Sequence, residues 1–288
     1  MIYTRQIPAP GETVIGTRYS WAHGGKGANQ ASAASAAGRG AITVSMVGAV
    51  GQDDFAESEL NALETADIGV GSVVRVDDAA TGIAFVTVDE SGANQIVVIP
   101  GANHCLTEEA VSTALIAIQP TVVVVSLEIP DDAVAAAVTT GRRLDACVVL
   151  NPAPFRRLNQ RLLDQIDVLT PNEGEFRQFV GAPDDIAIDE ETIPALIRDA
   201  GRISSAVLVT VGARGAILAH GAEVTHIPAP PVAVVDTTGA GDALNGSLAA
   251  GLAAGAPLRE AAESAVRFAA ATTTVPGARV ACRQEDDV

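Results

Sequence analysis

The sequence has 288 residues, of which 48% are hydrophobic and 18% charged, so it can bury a sizeable core and is not typical of a disordered chain. Its 18 basic and 35 acidic residues give a net charge of −17, which disfavours nucleic acid and anionic membrane surfaces as partners. No apolar stretch reaches the ~20 residues of a membrane span, and no signal peptide is recognisable, so we expect a cytoplasmic protein.

Runs of β-branched residues, typical of strands buried on both faces, alternate with alanine-rich segments that are typical of helices. In chain order the predicted core elements are helix Ala28–Ala37, strand Ile42–Val47, helix Phe55–Thr65, helix Glu108–Ile118, strand Val122–Leu127, helix Asp131–Arg143, strand Cys147–Leu150, strand Val168–Thr170, helix Ile193–Gly201 and strand Ala206–Val211. This order predicts a three-layer α/β/α core around a mostly parallel sheet with right-handed crossovers.

One region breaks this alternation and predicts a small β-sheet lid. Three short strands, Val73–Val76, Ile83–Val88 and Gln95–Ile99, follow one another with turn residues between them, which is typical of antiparallel hairpins. The segment Ile15–Trp21 could add strands to them. We therefore predict a core formed by residues 22–71 and 101–288, and a lid formed by residues 1–21 and 72–100.

The most informative motif is the glycine-rich segment Asp236–Asp242, which joins an apolar run to an alanine-rich helix. Glycines allow a sharp turn and a close approach of the backbone to a ligand, and the helix start presents unpaired N–H groups to an anion. Asp242 beside such a site could accept the proton of a substrate hydroxyl, which is the pairing that phosphoryl transfer needs. The alternative is a plain helix cap, because Asp is a common capping residue.

A second glycine-rich segment, Gly24–Gln30, also opens a predicted helix and contains Lys26, the only lysine of the 18 basic residues. A lysine carries a compact point charge, whereas arginine presents a planar fork. Because every other basic position of the chain is arginine, the single lysine favours a functional role for Lys26. The alternative is a solvated lysine at a flexible helix start.

Four further segments follow predicted strands, where open α/β sheets bind ligands. Glu128 follows one strand and Asn151–Pro154 another. Asn172 and Glu175 lie three residues apart at a probable helix start, where they could hold hydrated Mg²⁺ or cap the helix. The segment Thr210–Gly215 turns through glycines after a strand and is suited to backbone contacts with a nucleotide.

Taken together and in this order, these segments resemble the ribokinase-like (phosphofructokinase-B) carbohydrate kinase family over nearly the whole chain. The resemblance is carried by Pro10–Val14, Gly24–Gln30, Gly101–Asn103, Leu127–Pro130, Asn151–Pro154, Thr170–Glu175 and Asp236–Asp242. It implies an ATP-dependent sugar kinase with an α/β core and a β-sheet lid, forming a homodimer through its lids. It further implies that D-ribose is phosphorylated at its 5-hydroxyl.

The resemblance also implies roles for individual residues. It implies that Asp242 is the general base and that the backbone of Gly239, Ala240 and Gly241 forms an anion hole. The implied sugar site comprises Gly25, Lys26, Gly27, Ala28, Asn29, Glu128 and Asp242. The implied ATP site comprises Asn172, Thr210, Val211, Gly212, Ala213, Arg214, Gly215, Gly241 and Val266. The implied metal ligands are Glu175, through water to Mg²⁺, and Asp236, Thr238, Thr272, Val275 and Gly277 for K⁺.

The sequence departs from the family at two places. Arg279, Val280 and Ala281 are unusual residues at their positions, and a side-chain cation ligand expected near Ala281 is absent. The family's first strand, which ends in an Asn and an Asp that hold sugar hydroxyls, would precede Met1. The alternatives to a ribose kinase are a kinase for another sugar or nucleoside, and a non-catalytic protein that binds sugar or nucleotide.

Overall fold

The computed structural model describes residues 1–201 and 204–279. Its strands are β1 (Ile2–Thr4), β2 (Gly16–Tyr19), β3 (Val44–Val50), β4 (Ile68–Arg75), β5 (Ile83–Val88), β6 (Asn94–Ile99), β7 (Val122–Ser126), β8 (Cys147–Asn151), β9 (Val168–Leu169), β10 (Ala206–Thr210), β11 (Ala216–His220) and β12 (Glu223–Ile227). Its helices are α1 (Lys26–Gly38), α2 (Asp54–Thr65), α3 (Glu108–Ile118), α4 (Asp131–Arg143), α5 (Gln160–Leu163), α6 (Glu173–Val180), α7 (Ile193–Ala200), α8 (Ala240–Ala253) and α9 (Leu258–Thr272). No helix within these ranges is long and apolar enough to cross a membrane.

The main sheet has six strands in the order β12-β11-β10-β9-β8-β7. Strands β7 to β10 run parallel, and β11 and β12 continue the sheet antiparallel. Neighbouring residues of β8 point to opposite faces: Leu150 packs in the cluster with α3 and α4, whereas Val149 packs in the cluster with α8 and α9. Both residues are fully buried, because helices cover both faces of the sheet. The predicted three-layer core is therefore confirmed.

A separate two-stranded sheet pairs β3 with β4 in parallel. The segment Val73–Val76 was expected in an antiparallel lid, but Val73 to Arg75 instead form the end of β4, and Val76 N–H donates to Val50 O at 2.9 Å. A run of β-branched residues predicts a strand without identifying its partner, which is why the sequence misplaced this one. The prediction that the family's first strand lies before Met1 stays a prediction.

The small sheet, for which the sequence predicts the role of a lid, has four strands in the order β2-β1-β5-β6. The predicted hairpin of β5 and β6 is antiparallel, and β1 and β2 join the same sheet, with β1 parallel to β5. Every residue of β6 is exposed, in contrast to the buried strands of the main sheet. The small sheet thus has an apolar edge that the described part of the chain leaves exposed.

Candidate active site

Asp242 is the third residue of α8 and only 6% exposed. Its Oδ1 accepts a hydrogen bond from Gln30 Nε2 and its Oδ2 one from Asn29 Nδ2, each at 3.0 Å. Gly239 occupies the N-cap position of α8, with φ at 76°, and no side chain caps this helix. The capping role for Asp242 is therefore wrong, because its carboxylate is held by α1 and not by the start of its own helix.

The turn before Asp242 contains the predicted anion hole. The N–H group of Ala240 donates to Thr237 O at 3.2 Å, so this donor is partly engaged within the turn. Gly241 is different, since a Cβ built there would have no neighbour within 4 Å. An anion could therefore approach the backbone most closely at Gly241, beside the carboxylate of Asp242.

The start of α1 has the same design as the start of α8. Gly25 is the N-cap, with φ at 85°, and no side chain caps the helix. The N–H group of Lys26 donates instead to Glu128 Oε2 at 2.8 Å. Burial raises the pKa of the Glu128 carboxyl, and this hydrogen bond and the positive charge of Lys26 oppose the rise. Lys26, Glu128 and Asp242 therefore lie near one another.

Small residues let the first turn of α1 sit close to its neighbours. A Cβ at Gly27 would lie 2.9 Å from Met46 Cε, so a larger residue would displace the Met46 side chain. Ala28 and Asn29 are both buried. The predicted sugar segment is therefore packed against β3 on one side and directed to Asp242 on the other.

Arg279 is a site residue that the sequence marked only as a departure from the family. Its Nη2 donates to Gly24 O at 2.8 Å and to Glu59 Oε1 at 2.6 Å, and its Nε lies 3.4 Å from Asn29 Oδ1. The other oxygen of Glu59 lies 2.8 Å from His23 Nδ1. Arg279 therefore joins the C-terminal segment to the sugar segment. Val280 and Ala281, also singled out in the sequence, lie outside the described residues.

Asn172 and Glu175 form a capping box at the start of α6. Asn172 Oδ1 accepts from Glu175 N at 2.8 Å, and Glu175 Oε2 accepts from Asn172 N at 2.9 Å. Burial raises the pKa of Glu175, and the bond from Asn172 and the charge of Lys26 oppose the rise. The cap that the sequence left as an alternative is real, and it leaves Glu175 Oε1 available for another partner.

The predicted nucleotide loop adjoins this cap, because Asn172 and Thr210 form an isolated parallel β-bridge. The loop then makes a short 3₁₀ helix, Gly212–Arg214, closed by a hydrogen bond from Val211 N to Gly215 O at 2.9 Å. The Arg214 side chain is turned away to Glu173 Oε2 and Ile188 O. The loop is therefore suited to contact a nucleotide through its backbone.

Val266, the predicted adenine contact, lies in α9 and is only 3% exposed. It packs in the buried cluster that includes α8. Its contact with a nucleotide stays a prediction.

The predicted K⁺ ligands come together where the α8 turn meets the end of α9. Asp236 accepts from Thr238 N at 2.9 Å and from Gly277 N at 3.0 Å. The Thr238 hydroxyl, followed by these backbone N–H groups, lowers the pKa of the Asp236 carboxyl. The N–H groups of Val235 and Asp236 donate to Thr273 O. Carboxylate and carbonyl oxygens are donors that suit a hard cation.

No group of three or more His, Cys, Asp or Glu side chains in residues 1–201 and 204–279 could hold a metal ion. Mg²⁺ commonly binds through one or two carboxylates together with water and substrate phosphates, so the free oxygen of Glu175 fits that mode of binding.

The sequence matches the pfkB family carbohydrate kinases over residues 1–285. The ribokinase of Haemophilus influenzae is 35% identical over 282 residues, which are 96% of this chain and 90% of that protein. A bifunctional ribokinase/ribose-5-phosphate isomerase A of Fructilactobacillus sanfranciscensis is 35% identical over 249 residues, which cover 84% of this chain but only 44% of that relative's length.

Solved structures agree with the predicted fold. The structure of Arabidopsis thaliana ribokinase complexed with ribose and ATP superposes with a TM-score of 0.84 at 28% identity, covering 96% of this chain and 90% of that one. The ribokinase-like fold expected from the sequence is therefore confirmed.

Proposed function

The chain belongs to the pfkB family of carbohydrate kinases, and we propose that it transfers the γ-phosphoryl group of ATP to the 5-hydroxyl of D-ribose. The observation that carries this proposal is the buried carboxylate of Asp242, held by Asn29 and Gln30 beside the open backbone of Gly241. A base next to backbone anion donors is what this chemistry requires. The ribokinases among its relatives support ribose as the sugar.

In the proposed reaction the Asp242 carboxylate accepts the proton of the sugar 5-hydroxyl. The hydroxyl oxygen then forms a bond to the γ-phosphorus while the bond from that phosphorus to the ADP oxygen breaks. The products are ribose 5-phosphate and ADP. The N–H groups of Gly239 and Gly241, with a smaller share from Ala240, stabilise the charge on the transferred group.

The other groups bind and orient the two substrates. Lys26, Asn29 and Glu128 hold the sugar, and Asn172 with the Thr210–Gly215 loop holds ATP. Glu175 would hold Mg²⁺ through water, and the bound ion would neutralise part of the negative charge of the ATP phosphates. We propose that Asp236, together with backbone carbonyls of Thr238, Thr272, Val275 and Gly277, holds K⁺ beside the anion hole.

ATP as the donor and the net charge of −17 are consistent with a cytoplasmic enzyme that does not bind nucleic acid.

A coupled ADP assay tests the proposal with D-ribose, other pentoses and hexoses, and nucleosides as acceptors. We expect the highest kcat/KM with D-ribose, and phosphorylation at the 5-position by ³¹P NMR.

Asp242→Asn should lower kcat by ~10²–10⁴-fold, which is the usual contribution of a general base to the rate. The matched control is Asp132→Asn, which removes the same charge from the exposed first turn of α4 and should leave kcat unchanged.

Each alternative has its own result in this assay. A higher kcat/KM for another sugar or a nucleoside would reassign the substrate. Sugar or nucleotide binding without turnover would identify a non-catalytic protein. Near wild-type turnover by Asp242→Asn would remove Asp242 from the chemistry and leave the family assignment intact.

We also propose that the four-stranded sheet closes over the sugar and joins two copies of the chain. Within the described residues, β6 pairs only with β5, and its Ile96, Val97 and Val98 are more than half exposed. Apolar edge strands are readily covered by a second copy in a two-fold interface. Sedimentation should show a dimer for the unmodified chain and a monomer for Val98→Lys. A Val98→Lys dimer would locate the interface elsewhere.

A further inference from the structure

Beneath Asp242 lies a set of buried polar side chains that the proposed phosphoryl transfer does not use directly. Gln30 is 3% exposed, Asn151 6%, Thr170 2% and Asn245 1%. They come from α1, the end of β8, the residue after β9, and α8. Burying polar groups is unfavourable unless each of them is hydrogen-bonded, so their partners are informative.

Their hydrogen bonds form one path, which passes through the covalent bonds of Thr170 from its backbone oxygen to its hydroxyl. Gln30 Nε2 donates both to Asp242 Oδ1 at 3.0 Å and to Asn151 Oδ1 at 3.2 Å. Asn151 Nδ2 donates to the backbone oxygen of Thr170 at 3.2 Å. Thr170 Oγ1 donates to Asn245 Oδ1 at 2.6 Å, and Asn245 Nδ2 donates to Gly241 O at 2.8 Å.

The path therefore leaves the Asp242 carboxylate and returns to the carbonyl of the peptide bond immediately before Asp242. Its first bond acts on the group proposed as the base, and its last acts on the carbonyl of Gly241, the residue whose N–H group belongs to the proposed anion hole. The side-chain amides of Asn151 and Asn245 each donate one hydrogen bond and accept one along it, so turning either amide over would break two bonds at once. A ring of this kind holds the carboxylate and the Gly241 peptide in one relative geometry.

We infer that Gln30, Asn151, Thr170 and Asn245 are positioning residues that hold the base and the anion hole in register for phosphoryl transfer. This inference rests on the proposed function, because it concerns the geometry of that reaction. Displacing a catalytic group by ~1 Å can cost ~10²-fold in rate, so the loss of one link should appear mainly in kcat.

Thr170→Val tests the link that is farthest from the substrates. It replaces the hydroxyl with a methyl group of similar size and leaves Asn245 Oδ1 without its donor. It also removes the 3.2 Å contact of the hydroxyl with Leu150 O, but that carbonyl keeps its hydrogen bond from Thr170 N. The matched control is Thr140→Val in α4, where an equally buried hydroxyl bonds, among the described residues, to Ser112 Oγ alone at 3.2 Å. Thr170→Ser retains the hydroxyl and serves as the rescue variant.

We expect Thr170→Val to lower kcat about tenfold or more, with the KM values for sugar and ATP within about twofold of wild type. Thr170→Ser and Thr140→Val should retain kcat within about threefold, although Thr140→Val loses comparable thermal stability. Equal kcat for the two valine variants would overturn the inference, because burial of a hydroxyl would then explain both.

A double-mutant cycle adds a second readout. Gln30→Met and Thr170→Val act at two different links of the path, so their combined loss in kcat should be smaller than the product of the single losses. Independent, multiplicative losses would refute a shared network. If Thr170→Val does not fold, Asn245→Ala replaces it in the same cycle. A wild-type chain without turnover would refute the proposed function, whereas an active wild type with independent losses would refute only the network.

Discussion

The two glycine-rich helix starts of the site, at α1 and at α8, have the same backbone design in different surroundings. Gly25 and Gly239 are both N-caps with positive φ, at 85° and 76°. A Cβ at Gly25 would meet nothing within 4 Å, whereas a Cβ at Gly239 would lie 2.1 Å from Ala278 O. Backbone conformation alone therefore requires glycine at the start of α1, the proposed sugar side, while close packing also requires it at the start of α8, the proposed phosphoryl side.

The same C-terminal segment contacts both helix starts. The Ala278 carbonyl packs against Gly239, and the neighbouring Arg279 bonds to Gly24 O and lies beside Asn29. The α8 turn is thus packed against the C-terminal segment at Gly239 and open at Gly241. The turn at α1 is open around Gly25 and is held by two side chains, Arg279 at the Gly24 carbonyl and Glu128 at the Lys26 N–H group.

The largest effect in this comparison is expected from Gly239→Ala. The new methyl group would meet the Ala278 carbonyl and would also hold a strained φ, which alone costs about 1–3 kcal/mol. We expect kcat to fall by more than about 10²-fold, because the anion hole and Asp242 follow directly in the chain. Steady-state kinetics and urea unfolding measure the two losses. If the Gly239→Ala variant had the same kinetic constants as the wild type, this turn would not act on the phosphoryl group.

A smaller effect is expected from Arg279→Gln, which removes the tie between the C-terminal segment and α1. Glu59 would lose its cationic partner and the carbonyl of Gly24 a donor, so the sugar segment should become less ordered. We expect the sugar KM to rise about tenfold, equivalent to ~1.4 kcal/mol, with a smaller change in kcat. Arg267→Gln removes an exposed arginine whose one partner among residues 1–201 and 204–279 is Ser264, and it should leave both constants unchanged. A variant that changes kcat alone would place Arg279 with the phosphoryl side instead.

The smallest effect is expected from Gly25→Ala, the counterpart of Gly239→Ala. The open space around this position removes the packing conflict and leaves only the strain of positive φ, about 1–3 kcal/mol of unfolding free energy. We expect kcat within about twofold of wild type and a modest rise in the sugar KM. If Gly25→Ala lowered kcat as much as Gly239→Ala does, the proposed difference in role between the two turns would be wrong.

The sequence by itself determined the α/β core, because alternating β-branched runs and alanine-rich helices have few other ways to bury their apolar faces. It also determined the two glycine-rich helix starts and the candidate base, because glycines and a following carboxylate form a local pattern. The strand at Val73–Val76 was recognised as a strand but assigned to the wrong sheet, since pairing depends on residues far away in the chain.

Only the tertiary structure decided which side chains surround the base. Asn29 and Gln30 lie more than 200 positions before Asp242, and Arg279 lies 255 positions after Gly24. Gln30 belongs to the glycine-rich segment Gly24–Gln30, and Arg279 is one of the residues at which the sequence departs from the family. Neither observation predicted which residue each of them contacts. Hydrogen bonds between such distant residues depend on how α1, α8 and the C-terminal segment pack together, and that packing follows from the whole core, not from any local pattern.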